Sequence, residues 1–277
     1  MNPVKYAFAT VIAFGLWPMS LAAQTDGSFH PIIENDFYLS VGAFLPDKDF
    51  KIRVDGTVPE EEIDFEEVFN VSDSETTGSL DFRWRFGEKW SVAGQYWRVS
   101  DSGSETLTED VEWEDVVFRE GTFAEAGVSL DVARVFLGRQ FSSSPQHEFG
   151  AGLGFHWMEI DAFIQGQILT SEGDTELYRG SVDASAPLPN IGAWYNYSWS
   201  PKWALTTRVD WLSVSFGDYS GGLWNAKLGV NWAVFEHIGL SASWNFFKLD
   251  VDVDKSDWRG AAEISQSGPF VAVTGTW

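Results

Sequence analysis

An alternation of apolar and polar residues constrains this chain more than any other feature of its sequence. The final residues show it well: Val271, Val273 and Trp277 occupy one parity, and Thr274 and Thr276 occupy the other. Because successive side chains of a β-strand point to opposite faces, a period of two indicates a strand with one apolar and one polar face. The C-terminus is therefore predicted to be a strand that lies between an apolar and a polar environment.

The same period recurs along the chain, in segments separated alternately by short turns and by long acidic stretches. The segments are 37–44, 80–86, 90–97, 128–141, 149–157, 190–199, 203–211, 224–234 and 238–246. The intervening stretches up to about residue 77, at 101–121 and at 161–188 are predicted to be loops, the last with some extended structure of its own. An even number of strands, with short turns on one side and long loops on the other, is typical of outer-membrane barrels. We therefore predict that residues 37–277 form one all-β domain, a closed antiparallel transmembrane β-barrel of about ten strands (roughly eight to twelve), with short periplasmic turns and long acidic external loops.

Two local features of strand pairing follow from this pattern. The apolar parity flips within 128–141, and one inserted residue would produce such a flip, so a β-bulge is predicted near Val132. Folding the segments symmetrically about their short turns must bring like faces together. It yields the pairs Asp81 with Gln95, Trp194 with Arg208, Lys227 with Asn245, and Arg134 with His156.

Tryptophans on the apolar face recur at intervals of about eight residues, as in Trp203 with Trp211 and Trp224 with Trp232. In a strand tilted by ~40°, eight residues rise roughly 20 Å, which approaches the height of the apolar band between the aromatic girdles of a membrane barrel. A soluble β-sandwich, the alternative fold, has no reason to place Trp outward at that interval. The predicted girdle comprises Trp90, Trp157, Trp199, Trp203, Trp211, Trp224, Trp232, Trp244 and Trp277.

Composition excludes several classes of function. The chain has 18 Lys and Arg against 41 Asp and Glu, a net charge of -23. Nucleic-acid binding is not expected, because basic groups that displace counterions from phosphates drive that association. The absence of cysteine removes disulfides, thiol nucleophiles and thiolate metal sites. A mean hydropathy of -0.14 excludes a bundle of membrane helices but not a barrel, whose strands are half apolar.

The N-terminus has the pattern of an export signal. Lys5 precedes an apolar stretch at 7–19, and small residues follow at 20–23. The apolar stretch is too short to span a bilayer, which disfavours the alternative of an anchor helix. We predict a signal peptide over 1–23 and a polar lead-in over 24–36, hence export to the outer membrane.

The polar face of a barrel points inward, so its residues predict the contents of the lumen. Acids and bases are mixed there, and buried charges are tolerated when they are paired and hydrogen-bonded. Because about eight strands are just filled by side chains and open channels appear near sixteen, we expect a largely plugged interior with at most a narrow path. Both a structural salt-bridge core and a solute pathway remain open. The lumen set is Asp81, Arg83, Arg85, Gln95, Asp131, Arg134, Glu148, His156, Asn190, Asn196, Arg208, Asp210, Lys227, Asn231 and Asn245.

Acidic runs fill the predicted external loops. Carboxylates are the hard oxygen ligands that divalent cations prefer, so the densest run is a candidate cation-binding loop that could bridge to lipopolysaccharide phosphates. The alternative is a solvated, self-repelling loop. No EF-hand spacing is present and no defined metal site is predicted. The run comprises Glu60, Glu61, Glu62, Asp64, Glu66 and Glu67.

A ten-stranded barrel resembles the omptin proteases, whose sites pair acids with an Asp–His couple at the external mouth. The inward His156, with Asp131 nearby and a water or Ser129, is the candidate couple here. Arg134 opposite His156 disfavours the imidazolium that a general base must form. No paired-carboxylate motif of the omptin kind matches, so we expect no enzyme and no cofactor, with a hydrolase using His156 as the minor alternative.

Two further resemblances concern the envelope. A final alternating strand that ends on an aromatic residue, here Trp277, resembles the C-terminal signature of bacterial outer-membrane barrels that the barrel assembly machinery reads. Segments from Ile63 to Ser104 are similar to a group of proteobacterial outer-membrane barrels without an assigned role. The expected function is a structural or interaction role in contact with membrane lipid, lipopolysaccharide, divalent cations or an external partner. The alternative is a narrow channel for small or amphipathic solutes.

Overall fold

In the computed structural model the chain is described over residues 29–55, 63–69, 76–169, 175–216, 219–254 and 259–277. The elements are α1 (Pro31–Glu34), β1 (Phe37–Phe44), β2 (Asp47–Asp55), β3 (Ile63–Asp64), α2 (Phe65–Phe69), β4 (Thr77–Phe86), β5 (Trp90–Thr106), β6 (Val111–Trp113), β7 (Val116–Phe118), β8 (Phe123–Ser143), β9 (His147–Leu169), β10 (Thr175–Ser200), β11 (Trp203–Phe216), β12 (Tyr219–Ala233), β13 (Ile238–Asp254) and β14 (Arg259–Thr276). Among these elements, no helix is long and apolar enough to cross a membrane.

Ten of the described strands close into an antiparallel barrel. The order is β1-β4-β5-β8-β9-β10-β11-β12-β13-β14, and β14 returns to β1. The seam has two parts: residues 259–267 of β14 pair with β2, and residues 270–276 of β14 pair with β1. Pro46 separates β1 from β2 and has no N–H for the ladder, while the Leu45 N–H donates to Pro269 O at 3.0 Å. β2 thus continues β1 as one wall element, and the predicted closed barrel of about ten strands is confirmed.

The four predicted cross-strand pairs are confirmed, whereas the predicted bulge near Val132 is wrong. The β8 ladder runs without a shift against β5 and against β9 through this region, and its irregularity lies between Gln140 and Ser142. Val128, Leu130 and Val132 therefore keep one parity with Arg134 and are buried inside the barrel. Asp131 lies on the opposite parity, outside the barrel, which corrects its assignment to the lumen.

The apparent parity flip arises because the two faces of a strand exchange character along its length. On β9 the outward residues from Phe149 to Trp157 are apolar and exposed, and the next two outward residues are Glu159 and Asp161. Inward residues change in the opposite sense, since Ala162 and Ile164 are buried in an apolar core. The outward surface therefore has an apolar band near the short turns and a polar collar beyond it. The end of the barrel with the short turns is called the short-turn end below. The opposite end, toward which the polar collar lies, is called the long-strand end.

Much of the predicted loop sequence is strand. β5 extends to Thr106, and β9 and β10 form one hairpin whose ladder pairs Tyr197 with His147 and continues to Thr175 with Leu169. The expectation of extended structure within 161–188 is confirmed. Because β11 pairs with β10 only from Ile191, residues 175–190 of β10 have a described partner on one side only. Pro187 and Pro189 lie on this free edge, where proline is tolerated.

All nine predicted girdle tryptophans point outward and are exposed. Near the short turns the rings of Trp199, Trp203 and Trp232 stack in sequence, with centroids 6.5 and 5.7 Å apart. Eight residues higher, Trp211 lies beside Trp224 at 6.2 Å, and the two are cross-strand partners. The outward tryptophans thus mark two levels of the apolar band on β11 and β12.

Candidate functional site

The lumen at the level of the apolar band contains a buried ionic layer, and its centre is an arginine–aspartate pair. Arg134 on β8 donates from Nε to Asp210 Oδ2 at 2.6 Å and from Nη2 to Oδ1 at 2.8 Å. The two side chains are 1 % and 0 % exposed. Asn190 Nδ2 donates to the same Asp210 Oδ1 at 3.2 Å. Two parallel bonds to one carboxylate fix both side chains across the lumen.

A second acid connects to the first through Arg208 on β11. Asp81 on β4 accepts from Lys227 Nζ at 3.1 Å and lies 3.5 Å from Arg208 Nη1. Arg208 Nε is in turn 3.4 Å from Asp210, and its Nη2 donates to Gln95 Oε1 at 2.6 Å. The network therefore ties opposite walls of the barrel together, as a structural salt-bridge core requires.

His156 belongs to this layer and is 0 % exposed. Its Nε2 lies 3.0 Å from Asn225 Nδ2. Asp131, the predicted partner of His156, lies on the outer face, where it accepts from Tyr96 Oη at 2.7 Å. Ser129 also faces outward, and its hydroxyl bonds to Asp161. The structure therefore does not assemble the candidate Asp–His couple, and His156 is a buried hydrogen-bonded core residue.

The short-turn end is closed by the lead-in segment, whose helix α1 is held by two arginines. Arg83 Nη2 donates to Ile32 O at 2.6 Å, and Arg85 donates to the carbonyls of Ile32, Ile33 and Asn35 at 2.6 to 3.0 Å. Arg85 also pairs with the buried Glu148. Carbonyls at the end of a helix attract cations, so the guanidinium groups fix α1 as a plug.

The long-strand end is closed by an apolar core. Phe65 and Phe69 of α2, with Trp113 of β6 and Phe118 of β7, are fully buried against inward residues of β8 and β9 such as Leu130. At this level the interior is formed by buried apolar side chains and packs like an ordinary protein core. The lumen is thus filled at three successive levels: plug, ionic layer and apolar core.

The β6–β7 hairpin is fastened at its base by Asp110. The carboxylate accepts from the Glu120 N–H at 2.8 Å and from Arg119 Nη1 at 2.5 Å. The backbone hydrogen bond from Glu120, followed by the bond from Arg119, lowers the pKa of Asp110 below its ordinary value. The ionised carboxylate is therefore the form that secures the hairpin.

The candidate cation-binding loop is only partly described. Glu60, Glu61 and Glu62 and the Glu66 side chain lie outside the described residues. Asp64 accepts the Glu67 N–H at 3.1 Å and lies 3.8 Å from Lys51 Nζ, so it starts α2 and contacts a cation already present in the chain. Within the described residues no group of three or more His, Asp or Glu side chains could hold a metal ion.

The polar collar carries acids whose proximity is not evident from the sequence. Asp131 is the cross-strand partner of Glu159, and Asp161 is the partner of Asp183. Arg98 is the nearby base, 3.5 Å from Asp131. Directly opposite like charges are unfavourable unless something screens them, so these two pairs concentrate negative charge on the collar.

The remaining predicted lumen residues have local roles. Asn231 donates to Thr206 at 3.1 Å, Asn245 accepts from Ser243 at 3.0 Å, and Asn196 is buried. Three features were not predicted from the sequence: Asn225 as a lumen residue, the buried Lys48–Asp101 pair at 2.8 Å, and the apolar core at the long-strand end. The spacing of Phe65 and Phe69 within an acidic run was the available signal for the apolar core, because one helical turn places such residues on one face.

Comparison with known proteins identifies the fold. No family model matches the chain, and no curated protein matches its sequence. Among solved structures it is similar to the outer membrane protease OmpT from Escherichia coli, at a TM-score of 0.58 and 9 % identity over 93 % of this chain and 100 % of that one. The toluene transporter TodX of Pseudomonas putida matches at a TM-score of 0.39 and 6 % identity, over 89 % and 91 % of the two chains. The chain therefore has the fold of a Gram-negative outer-membrane β-barrel.

Proposed function

We propose that this protein is an integral, non-conducting barrel of the outer membrane with a structural or interaction role at the envelope. The observation that carries the proposal is the three-level filling of the lumen. A solute pathway would have to displace α1, break the Arg134–Asp210 pair, and open the core around Phe65 and Phe69. The helix α1, the Arg134–Asp210 pair and the apolar core are each held by contacts inside the barrel.

The polar collar supplies the contact surface in this proposal. It begins directly above Trp157, where an aromatic girdle meets the membrane surface. Divalent cations prefer carboxylate oxygens, and they can join the paired acids Asp131/Glu159 and Asp161/Asp183 to the phosphates of lipopolysaccharide. In this proposal the collar, and not the acidic loops, makes the contact with divalent cations and lipopolysaccharide.

Planar-bilayer recording tests the closed lumen. The wild-type protein is expected to give no steady conductance steps, because no level of its lumen is open. The double variant Arg83→Ala/Arg85→Ala serves as the control, because it releases the carbonyls of α1 and so loosens the plug at the short-turn end. Steady, cation-selective steps from the wild-type protein would refute the proposal and favour the alternative, a narrow channel.

A second experiment tests the collar. Magnesium is expected to raise the unfolding temperature of the protein in micelles that contain lipopolysaccharide, and much less in plain detergent. Neutralising the collar should abolish that difference, whereas neutralising four exposed acids farther from the apolar band should not. The collar variant is D131N/E159Q/D161N/D183N and the control variant is E105Q/E109Q/E112Q/E120Q. Equal behaviour of the two variants would refute the collar assignment.

The hydrolase alternative has no support from the position of His156. A general base must reach the proton that it abstracts, and this imidazole is enclosed between Asn225 and the Arg134–Asp210 pair. The substitution His156→Ala tests this interpretation directly. Any peptidase or lipid A-modifying activity of the purified protein should be unchanged by it.

A further inference from the structure

The ionic layer contains more positive than negative charge. Arg85 and Glu148 neutralise each other. Four bases then remain, and three acids among the described residues act on them. The bases are Arg83, Arg134, Arg208 and Lys227, and the acids are the buried Asp81 and Asp210 and the exposed Asp36, which attracts Arg83. The balance is four minus three, or +1, in a chain whose overall charge is -23. Buried charge without a counter-charge is costly, so this excess calls for an anion.

A cavity lies where these bases meet. Its volume is about 120 Å³, and Arg83, Arg134, Arg208 and Lys227 all line it, with Asp81 as the acid on its wall. A water molecule occupies about 30 Å³ of liquid volume. The cavity therefore has room for a small ion together with a few waters.

Two guanidinium donors at this cavity have no hydrogen-bond partner among the described residues. Arg134 is 2 % exposed, and its Nε and Nη2 donate to Asp210, while its Nη1 has no hydrogen bond to any described residue. Within the same described part of the chain, Arg83 Nε also has no hydrogen-bond partner, and Arg83 Nη2 donates to the neutral carbonyl of Ile32. Buried arginine donors in native proteins are normally hydrogen-bonded, and charge-assisted bonds to an anion are the strongest ones available to them.

We propose that the lumen binds a small inorganic anion of the halide class between Arg134, Arg83 and Lys227, as a structural ligand of the ionic layer. The anion completes the charge balance and accepts from the unpaired guanidinium donors. It also joins β8 to β4, the strand that holds α1. The inference does not rest on the role proposed above, since an anion can stabilise a conducting or a non-conducting barrel alike.

Bromide tests the site because it scatters anomalously. Protein refolded and crystallised with sodium bromide as the only salt should show an anomalous peak within hydrogen-bond distance of Arg134 Nη1. An anomalous map without a peak in this cavity would overturn the proposal. This measurement uses the wild-type protein and does not depend on whether any variant folds.

A charge-matched pair of variants tests the same idea in solution. Ala93 lines the cavity and is the cross-strand partner of Arg83. In Ala93→Asp the new carboxylate supplies the missing charge, and Ala93→Asn adds the same bulk without charge. Gluconate, which is too large for the cavity, replaces bromide to keep the ionic strength constant. A tenfold rise in bromide above its Kd should then lower the unfolding constant of the wild type about tenfold.

The same dependence is expected for Ala93→Asn, whereas the unfolding of Ala93→Asp should not respond to bromide. Equal responses of the two variants, or no response of the wild type, would refute the assignment of the site.

Discussion

Neutralising Asp210 tests whether the Arg134–Asp210 pair of the ionic layer is shielded from solvent. The substitution Asp210→Asn keeps the shape of the side chain but removes the charge that two hydrogen bonds from Arg134 satisfy at 2.6 and 2.8 Å. Arg134 is then left charged with a side chain that is 1 % exposed. Breaking a buried ion pair on one side costs about 3–5 kcal/mol. The unfolding constant should therefore rise roughly one-hundred- to four-thousand-fold.

The assay is urea unfolding in lipid vesicles, followed by tryptophan fluorescence. Asp131→Asn is the matched control, because the same change is made on the outer face, where an exposed ion pair is worth only about 0–1 kcal/mol. The double variant Arg134→Met/Asp210→Leu should recover most of the loss, since replacing both partners of a buried pair with apolar residues is often close to neutral. If Asp210→Asn costs no more free energy than Asp131→Asn, the Arg134–Asp210 pair is hydrated and the reasoning fails.

Three other predictions concern the surface and the ends of the barrel. Leu228 lies between Trp224 and Trp232 on the outward face. Leu228→Arg should lower the free energy of unfolding in vesicles by about 2–4 kcal/mol, against about 0–1 kcal/mol for Ser185→Arg in the collar. Equal losses would contradict the position of the apolar band. Asp110 has a lowered pKa in the folded state, so its stabilisation of the β6–β7 hairpin is present above the ordinary aspartate pKa and is lost as the pH falls through the folded value. Hydrogen exchange at the Glu120 amide, corrected for its intrinsic pH dependence, should therefore accelerate in acid, and it should also accelerate at neutral pH in Asp110→Asn. An unchanged rate would contradict the role of the carboxylate. Replacing Pro187 and Pro189 with Thr should restore donors to the free edge of β10 and increase self-association, measured by sedimentation in detergent; an unchanged monomer fraction would show that the edge is protected by something else.

The sequence by itself determined the barrel and most of its registers. Short turns pair their flanking strands locally, and a one-residue slip would exchange the faces of a strand. The polar pairs Asp81–Gln95 and Trp194–Arg208 therefore followed from counting residues about each turn, and the outward tryptophans followed from parity. The signal peptide over 1–23 and the domain limits 37–277 stay predictions.

Only the tertiary structure decided which face of a strand is inside at each height. Parity states which residues share a face, but the environment of that face changes where the wall leaves the apolar band. Above that level the outside is polar and the inside is an apolar core, so Val132 is buried within the barrel and Asp131 lies outside it. Read without this inversion, the pattern suggested a bulge and an Asp131–His156 couple that the fold does not form.

The contents of the lumen were likewise beyond local pattern. Arg134 and Asp210 are 76 residues apart in sequence, and Phe65 and Trp113 reach the same core from separate segments. Such contacts depend on closing the barrel, which brings distant strands face to face across one interior. Alternation therefore fixed the wall of this protein, while closure fixed what fills it.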